Sequence, residues 1–219
     1  MSKLKYVVPK KVLMLLYNSI ILPHLSYCNI VWGNSYSSHL TKLNLLQKRA
    51  IRIMSHAEYN SPTYPLFRET QILPVQELIT LDTLIFMYHF HTGNVPQIFK
   101  SMFIKNSSVH SYNTRHKLLL HKPPVRTTHA LKSFRNIGIS TWNRVSEDIR
   151  SSSTVSRFKT MCKRDLLNNL QSWVELHLAL PESNPFGLGG GQFGLCGVLK
   201  GQWNMGGGLG GPLACENST

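Results

Sequence analysis

The amino-acid sequence predicts a mainly α-helical protein: a small helical bundle with a basic irregular region, followed by a disordered, glycine-rich tail. Apolar residues recur at helical spacing in several stretches of residues 9–170, and proline or glycine stands at the edges of these stretches. The glycines are distributed very unevenly, because 12 of the 15 lie between Gly187 and Gly211. A chain so rich in glycine cannot recover its backbone entropy by burial. We therefore predict a helical domain over residues 1–177 and a disordered tail over 178–219.

The first predicted helix begins near Pro9, because proline suits the first helical position. It should end at Pro23, which interrupts the helical pattern. Its expected inner face consists of Val12, Leu13, Leu16, Tyr17 and Ile20.

A second helix is predicted after Ser37 or Ser38, either of which suits a helix cap. Its expected apolar stripe consists of Leu40, Leu43, Leu46, Ala50, Ile53 and Met54, and its other face carries Lys42, Lys48, Arg49 and Arg52. Lys48 and Arg52 are four residues apart, so their like charges are neighbours and lower helix stability. This pattern indicates a polyanion bound along that side, and a plain solvated face is the equally weighted alternative.

A third helix is predicted from Pro74 to about His91, with Glu77 favourable to the helix dipole in its first turns and Gly93 as a stop. Its middle is apolar nearly all round, which is typical of a helix at the centre of a core. A shorter helix is expected from Pro96 to Phe103.

A last amphipathic helix is predicted from about Thr154 to Leu170. Its expected inner side consists of Phe158, Met161, Cys162, Leu166 and Leu170, and its outer face carries Arg157, Lys159, Lys163 and Arg164.

Between these helices, residues 106–150 form a basic region of low regularity. A short β-hairpin is an open alternative there, with strands at Leu118–Leu120 and Ile137–Trp142, and Pro123-Pro124 argues against anything longer.

Charge gives the first indication of function. The chain carries a net charge of +14, and 23 basic against 8 acidic residues lie up to His177. Nucleic-acid phosphate is the partner that fits best, because neutralising phosphates releases condensed counterions. A basic face on an anionic membrane is the less favoured alternative. No stretch reaches about 18 apolar residues and no secretory signal is evident, so we expect no membrane partner and an intracellular location, nuclear or cytoplasmic.

The residues that carry chemistry are scattered, so we expect no catalytic site, metal or cofactor. The only adjacent acidic pair, Glu147-Asp148, suits a helix start or a salt-bridged surface better than a metal site. The four cysteines form no CxxC pair, and His24 with Cys28 supplies only two metal ligands. No phosphate-binding glycine motif follows a strand.

Five aromatic residues lie close to basic residues or loops and offer stacking surfaces for single-stranded nucleic acid. They are Tyr27, Trp32, Tyr36, Tyr112 and Trp142. Burial is the favoured interpretation for Trp32 and Trp142, because large aromatic side chains usually belong to the core.

Short segments in a fixed order then resemble a known family. They are Leu16-Tyr17-Asn18-Ser19, Leu22 to Cys28, Val31-Trp32-Gly33, Leu46 to Arg52, Pro65-Leu66-Phe67, Ile72-Leu73, Tyr112 to Arg115, Trp142-Asn143 and Phe158-Lys159. Together they resemble the segment downstream of the palm in reverse transcriptases of non-LTR, LINE-type retrotransposons of the jockey-like kind. The resemblance spans residues 6–170.

The resemblance implies a thumb and carboxy-terminal region that grips template RNA or a primer duplex beside a separate palm domain. The Tyr/Phe-x-Asp-Asp palm motif, the upstream aspartate and the endonuclease are absent, so we expect no polymerisation by this chain alone. Arg144-Val145 stands where the family commonly has Leu-Pro, and the glycine-rich tail has no counterpart. Both departures are typical of a decayed or mis-joined copy.

The sequence therefore predicts a truncated RNA-directed DNA polymerase fragment that contacts the RNA or DNA backbone. The predicted phosphate contacts are Lys42, Lys48, Arg49, Arg52, Arg115, Lys117, Arg126, Arg157, Lys163 and Arg164. Such contacts carry little base specificity. Two alternatives remain open: a captured module whose basic helix docks on an acidic protein, and a pseudogene product with a folded core and no partner.

Overall fold

The structure, a computed structural model, describes residues 5–109, 111–112 and 114–179, with side chains up to residue 170. The mainly helical class is confirmed, and no β-strand occurs within these ranges. The predicted disordered tail lies outside the described residues from residue 180 onward.

The helices follow one another through short connections, except for the longer segment between α8 and α9. They are α1 (Lys10–Leu16), a π-helical turn (Tyr17–Ile21), α2 (Leu22–Ser26), α3 (Asn29–Trp32), α4 (Ser37–Met54), α5 (Thr63–Glu69), α6 (Val75–His91), α7 (Gln97–Lys100), α8 (Asn106–Val109), α9 (Thr128–Leu131), α10 (Phe134–Arg144), α11 (Glu147–Arg150) and α12 (Val155–Ala179).

The first helical segment does not end at Pro23, so that prediction was wrong. Pro23 lies in the first turn of α2, directly after the π-helical turn. In the wider π-helical turn the Leu22 N–H donates to the Tyr17 carbonyl, five residues back, and the helix continues past Pro23, which has no N–H to donate. Leu13 and Tyr17 are buried as predicted, whereas Val12 and Ile20 are exposed.

The inner face of α4 differs from the predicted stripe. Leu46 is 63% exposed, whereas Gln47 and Ile51 are buried beside the predicted Leu40, Ala50 and Met54. The helix starts at Ser37, and the residue before it, Tyr36, provides no side-chain cap, so the predicted serine cap was wrong.

Helix α6 occupies the centre of the fold, as its apolar sequence predicted. It packs against α2, α3, α4, α10 and α12. Gly93 ends the helix in a left-handed conformation, with φ of 79°. Its N–H donates to the Phe90 carbonyl, and the Asn94 N–H donates to the His89 carbonyl, which is the hydrogen-bond pattern of a glycine-terminated helix.

The largest core cluster lies between α6, α10 and α12. Tyr88 of α6 stacks on Phe158 of α12 with ring centroids 4.5 Å apart, and Trp142 of α10 lies 5.9 Å from the same phenylalanine ring. A second cluster joins α1, α4 and α5, and a third joins α2, α4 and α6.

Other expectations of local structure also differ from what the structure shows. Residues Ile137–Trp142 are part of α10 and do not form a strand. The Ser133 hydroxyl caps this helix by accepting a hydrogen bond from the Asn136 N–H at 3.4 Å, and the helix packs on α6. The short hairpin, left as an open alternative, is not present in the described residues, where one antiparallel bridge joins Leu120 to Lys105 instead. The helix expected from Pro96 to Phe103 is only the single turn α7, and α12 continues nine residues past Leu170.

Candidate nucleic-acid interface

A groove on the outer face of α12 brings two of the predicted phosphate contacts together. It has a volume of about 480 Å³ and is lined by Ser156, Arg157, Thr160, Met161 and Arg164. Residues 157, 160, 161 and 164 follow helical spacing, so they lie on one face of the helix. The two arginines are separated by seven residues, which corresponds to about 10.5 Å along the axis.

The groove offers hydrogen-bond donors for an anion. Both arginine side chains are exposed, and no carboxylate stands among the described residues that line the groove. Among the described side chains, the ion pairs are Lys10–Glu69 and Arg150–Glu147, so neither groove arginine has a carboxylate partner. A guanidinium presents several N–H groups in a planar fork, which suits phosphate oxygens. The arrangement is therefore suited to an anion such as phosphate.

Two features of the groove were missed in the sequence analysis. Met161, expected on the inner side of α12, is half-buried and forms part of the groove. The hydroxyls of Ser156 and Thr160 were not among the predicted contacts. Thr160 donates to the Ser156 carbonyl at 2.9 Å, which fixes its side chain beside the arginines. The signal that could have found it is its spacing, three residues from Arg157 and four from Arg164.

Lys163 lies away from this groove. It is half-buried, and burial lowers the pKa of its ammonium group, with nearby Lys159 lowering the pKa further. On the same side, Lys159 is close enough to Asp82 to lower the pKa of that carboxyl. Neither lysine is among the described residues that line the arginine groove.

Two of the four basic residues predicted as phosphate contacts on α4 are engaged by neighbouring residues, and the other two are exposed. Lys48 is half-buried with its Nζ 5.6 Å from the ring centre of Tyr64 in α5, and the Arg52 Nε donates to the Ser61 carbonyl at 2.8 Å. Lys42 and Arg49 are exposed. The Lys48–Arg52 side, where the sequence suggested a bound polyanion, is thus engaged with the loop after α4 and with α5.

The basic region after α7 contains the remaining predicted contacts. Arg115 and Arg126 are exposed and Lys117 is half-buried. The segment is held to α10 by Asn143, whose amide exchanges two hydrogen bonds with the backbone of Leu120. The ten predicted contacts therefore lie on three parts of the chain: α4, residues 115–126 and α12.

The five aromatic residues named as candidate stacking surfaces differ in their exposure. Trp142 is only 3% exposed, as favoured from the sequence, and Trp32 is half-buried with its indole N–H donating to the Tyr27 carbonyl at 2.8 Å. Tyr36 is 51% exposed, and the Nζ of Lys132 lies 3.5 Å from its ring centre. Lys132 was not among the predicted contacts, and nothing local in the sequence signals a pairing of residues 96 positions apart.

Glu147 and Asp148 form the first turn of α11, and Arg150 lies 4.0 Å from Glu147, so the expectation of a helix start with a surface ion pair is confirmed. Over the residues that the structure describes, no three histidine, cysteine, aspartate or glutamate side chains gather as a metal site would require. None of the described helices is both long and apolar enough to span a bilayer.

Comparison with known proteins identifies no relative: no family model, curated protein or solved structure matches this chain.

Proposed function

We propose that this chain binds the phosphate backbone of RNA or DNA through the groove on α12, as the thumb and carboxy-terminal region of a non-LTR, jockey-like reverse transcriptase. The observation that carries the proposal is the pair Arg157 and Arg164, both exposed in one groove whose described lining contains no carboxylate. Under this proposal the catalytic aspartates would come from a separate palm domain, and we expect no polymerisation by the chain alone.

The spacing of the two arginines suits a nucleic-acid strand. A separation of about 10.5 Å corresponds to about three nucleotides along a duplex, since each strand rises about 3.4 Å per phosphate. Contacts of this kind hold a strand in position without reading bases. The net charge of +14 adds long-range attraction, which raises the association rate at low salt.

The proposal is tested by fluorescence anisotropy with a labelled RNA–DNA duplex and a labelled single-stranded RNA. The variant Arg157→Gln/Arg164→Gln should weaken binding roughly a hundredfold, because each arginine contributes charge-assisted hydrogen bonds of about 1.5 kcal/mol and about 1.4 kcal/mol is a factor of ten. The matched control is Arg68→Gln/Arg144→Gln, which removes the same charge from exposed positions on α5 and α10. It should change the affinity less than threefold.

Equal losses in the two double variants would overturn the proposal, because they would show that binding depends on diffuse charge. Absence of binding by the wild-type chain would favour a folded product without a nucleic-acid partner. Circular dichroism of each variant establishes that the helical content is unchanged, so that a loss of affinity is not a loss of folding.

A further inference from the structure

Helix α4 carries two exposed leucines on the side that faces away from the core. Leu45 is 60% exposed and Leu46 is 63% exposed, although Leu40, Ile51 and Met54 on the opposite side are buried. A surface helix ordinarily needs one apolar stripe, the one that packs on the core. The core therefore does not account for the two exposed leucines.

The two leucines lie between two cations. Lys42, Leu45, Leu46 and Arg49 are spaced i, i+3, i+4 and i+7, so they form one face of the helix about 10.5 Å long, which we call the α4 outer face. Lys42 and Arg49 are exposed at its two ends. Lys48 and Arg52 border this face, but they are engaged by Tyr64 and Ser61 and do not extend over the leucines.

We propose that the α4 outer face binds a helix of another polypeptide, with apolar residues that cover Leu45 and Leu46 and acidic residues that meet Lys42 and Arg49. Helix-in-groove recognition of this kind reads apolar anchors at i, i+3, i+4 and i+7. Charge complementarity at the ends sets orientation and suppresses wrong partners.

The chemistry of the face favours this occupant over two others. A sugar-phosphate strand lying between Lys42 and Arg49 would cover both leucines, which offer its charged oxygens no hydrogen bond. A second copy of the chain would bring together two molecules that each carry a net charge of +14. An acidic, amphipathic helix satisfies both the apolar centre and the basic ends.

This site is separate from the groove on α12 and does not depend on the proposed function. The test uses the full chain and two labelled synthetic 18-residue helical peptides. Both carry leucines at i, i+3, i+4 and i+7; one has glutamates at both ends of the stripe and the other has lysines. We expect the glutamate peptide to bind at least tenfold more tightly than the lysine peptide.

Two variants identify the face. Leu45→Gln/Leu46→Gln should reduce affinity for the glutamate peptide at least tenfold. The control Ile98→Gln/Leu118→Gln, which removes two side chains that are 78% and 70% exposed elsewhere, should change it less than twofold. Lys42→Glu/Arg49→Glu should reverse the preference, so that the lysine peptide becomes the tighter ligand, a gain that unfolding cannot mimic.

Several results would overturn the proposal: no binding of the glutamate peptide, equal binding of the two peptides, or unchanged binding by the leucine variant. Displacement of the peptide by duplex RNA would assign the face to nucleic acid. A wild-type dimer in sedimentation that the leucine variant abolishes would assign it to a second copy, and leucine-dependent binding to anionic vesicles would assign it to a membrane. The Arg157→Gln/Arg164→Gln chain should retain peptide affinity, so failure of one site is distinguishable from failure of the other.

Discussion

Asn143 holds the backbone of Leu120 with both ends of its side-chain amide. The Leu120 N–H donates to the Asn143 Oδ1 at 3.1 Å, and the Asn143 Nδ2 donates to the Leu120 carbonyl at 2.9 Å. The preceding residue, Trp142, is buried against Phe158. In the Trp142-Asn143 pair, Trp142 therefore belongs to the core, and Asn143 is a clamp that holds the chain at Leu120 against α10.

We expect Asn143→Ala to lower the stability of the fold and to loosen the chain around Leu120. Loss of two partly buried hydrogen bonds should lower the free energy of unfolding by about 2 kcal/mol, since each is worth about 1 kcal/mol. It should also increase hydrogen exchange across residues 104–121. The control is Asn94→Ala, at an exposed asparagine after α6. Unchanged exchange in this segment would contradict the clamp.

Gln47 predicts a larger loss of stability. Its buried Nε2 donates to the Tyr17 hydroxyl and to the Leu73 carbonyl, both at 2.9 Å, and its Oε1 accepts from the Val75 N–H at 2.9 Å. Gln47→Leu leaves three polar groups without these partners, so urea denaturation should show a loss of about 3 kcal/mol or more. Tyr17→Phe removes one of these bonds and should cost about 1 kcal/mol. Equal costs for the two variants would contradict the network.

Replacing Gly33 by alanine should lower the free energy of unfolding through steric overlap. Backbone strain does not contribute, because the φ of Gly33 is −68°, which any residue can adopt. A Cβ at this position would lie 2.7 Å from two side-chain carbons of Ile79 and closer still to the carbonyl oxygen of Asn29. Gly33→Ala should therefore destabilise the fold by about 2 kcal/mol, as overpacking does. The comparison is Gly93→Ala, where nothing lies within 4 Å and only the positive φ opposes a side chain, at about 1 kcal/mol. Thermal unfolding of the two variants measures the difference, and a neutral Gly33→Ala would contradict the close approach.

Asp82 predicts a dependence of stability on pH. Burial raises the pKa of its carboxyl, although the hydrogen bond from Asn29 and the charge of Lys159 each lower the pKa in part. Because the pKa of Asp82 is higher in the folded state than in the unfolded state, the folded state binds more protons between these two values. The free energy of unfolding therefore falls as the pH rises from the unfolded-state pKa to the folded-state pKa.

Asp82→Asn should therefore raise the melting temperature at pH 7, and the difference should disappear below about pH 3.9, the usual unfolded pKa of aspartate. Glu58→Gln, at an exposed carboxylate, is the control. A melting temperature at pH 7 that the Asp82 variant lowers would show that the charged form stabilises the fold.

The elements that sequence predicted well have strong local signals. Helix α6 is flanked by Pro74 and Gly93 and is apolar nearly all round, so its bounds and its central position followed directly. Helix α10 was missed because a short apolar run such as Ile137–Trp142 suits a strand or a helix equally, and packing on α6 decides between them. On α4, Gln47 was not predicted to be buried because its side chain is polar, and Leu46 was predicted to be buried because its side chain is apolar. The structure shows the opposite for both.

The candidate site was predictable in part for the same reason. Arg157 and Arg164 share a face because of spacing within one helix, which sequence shows. The engagement of Lys48 by Tyr64 and of Arg52 by Ser61 depends on how the chain folds back after α4, which spacing within the helix does not show.

We propose that phosphate contacts are concentrated at Arg157 and Arg164, and the salt dependence of duplex binding measures this. The logarithm of the affinity should fall steeply and linearly with the logarithm of the salt concentration for the wild-type chain. In Arg157→Gln/Arg164→Gln the slope should be shallower by about 1.8, since each phosphate contact contributes about 0.9. A flat response of the wild-type chain, or a slope that this variant leaves unchanged, would contradict the claim.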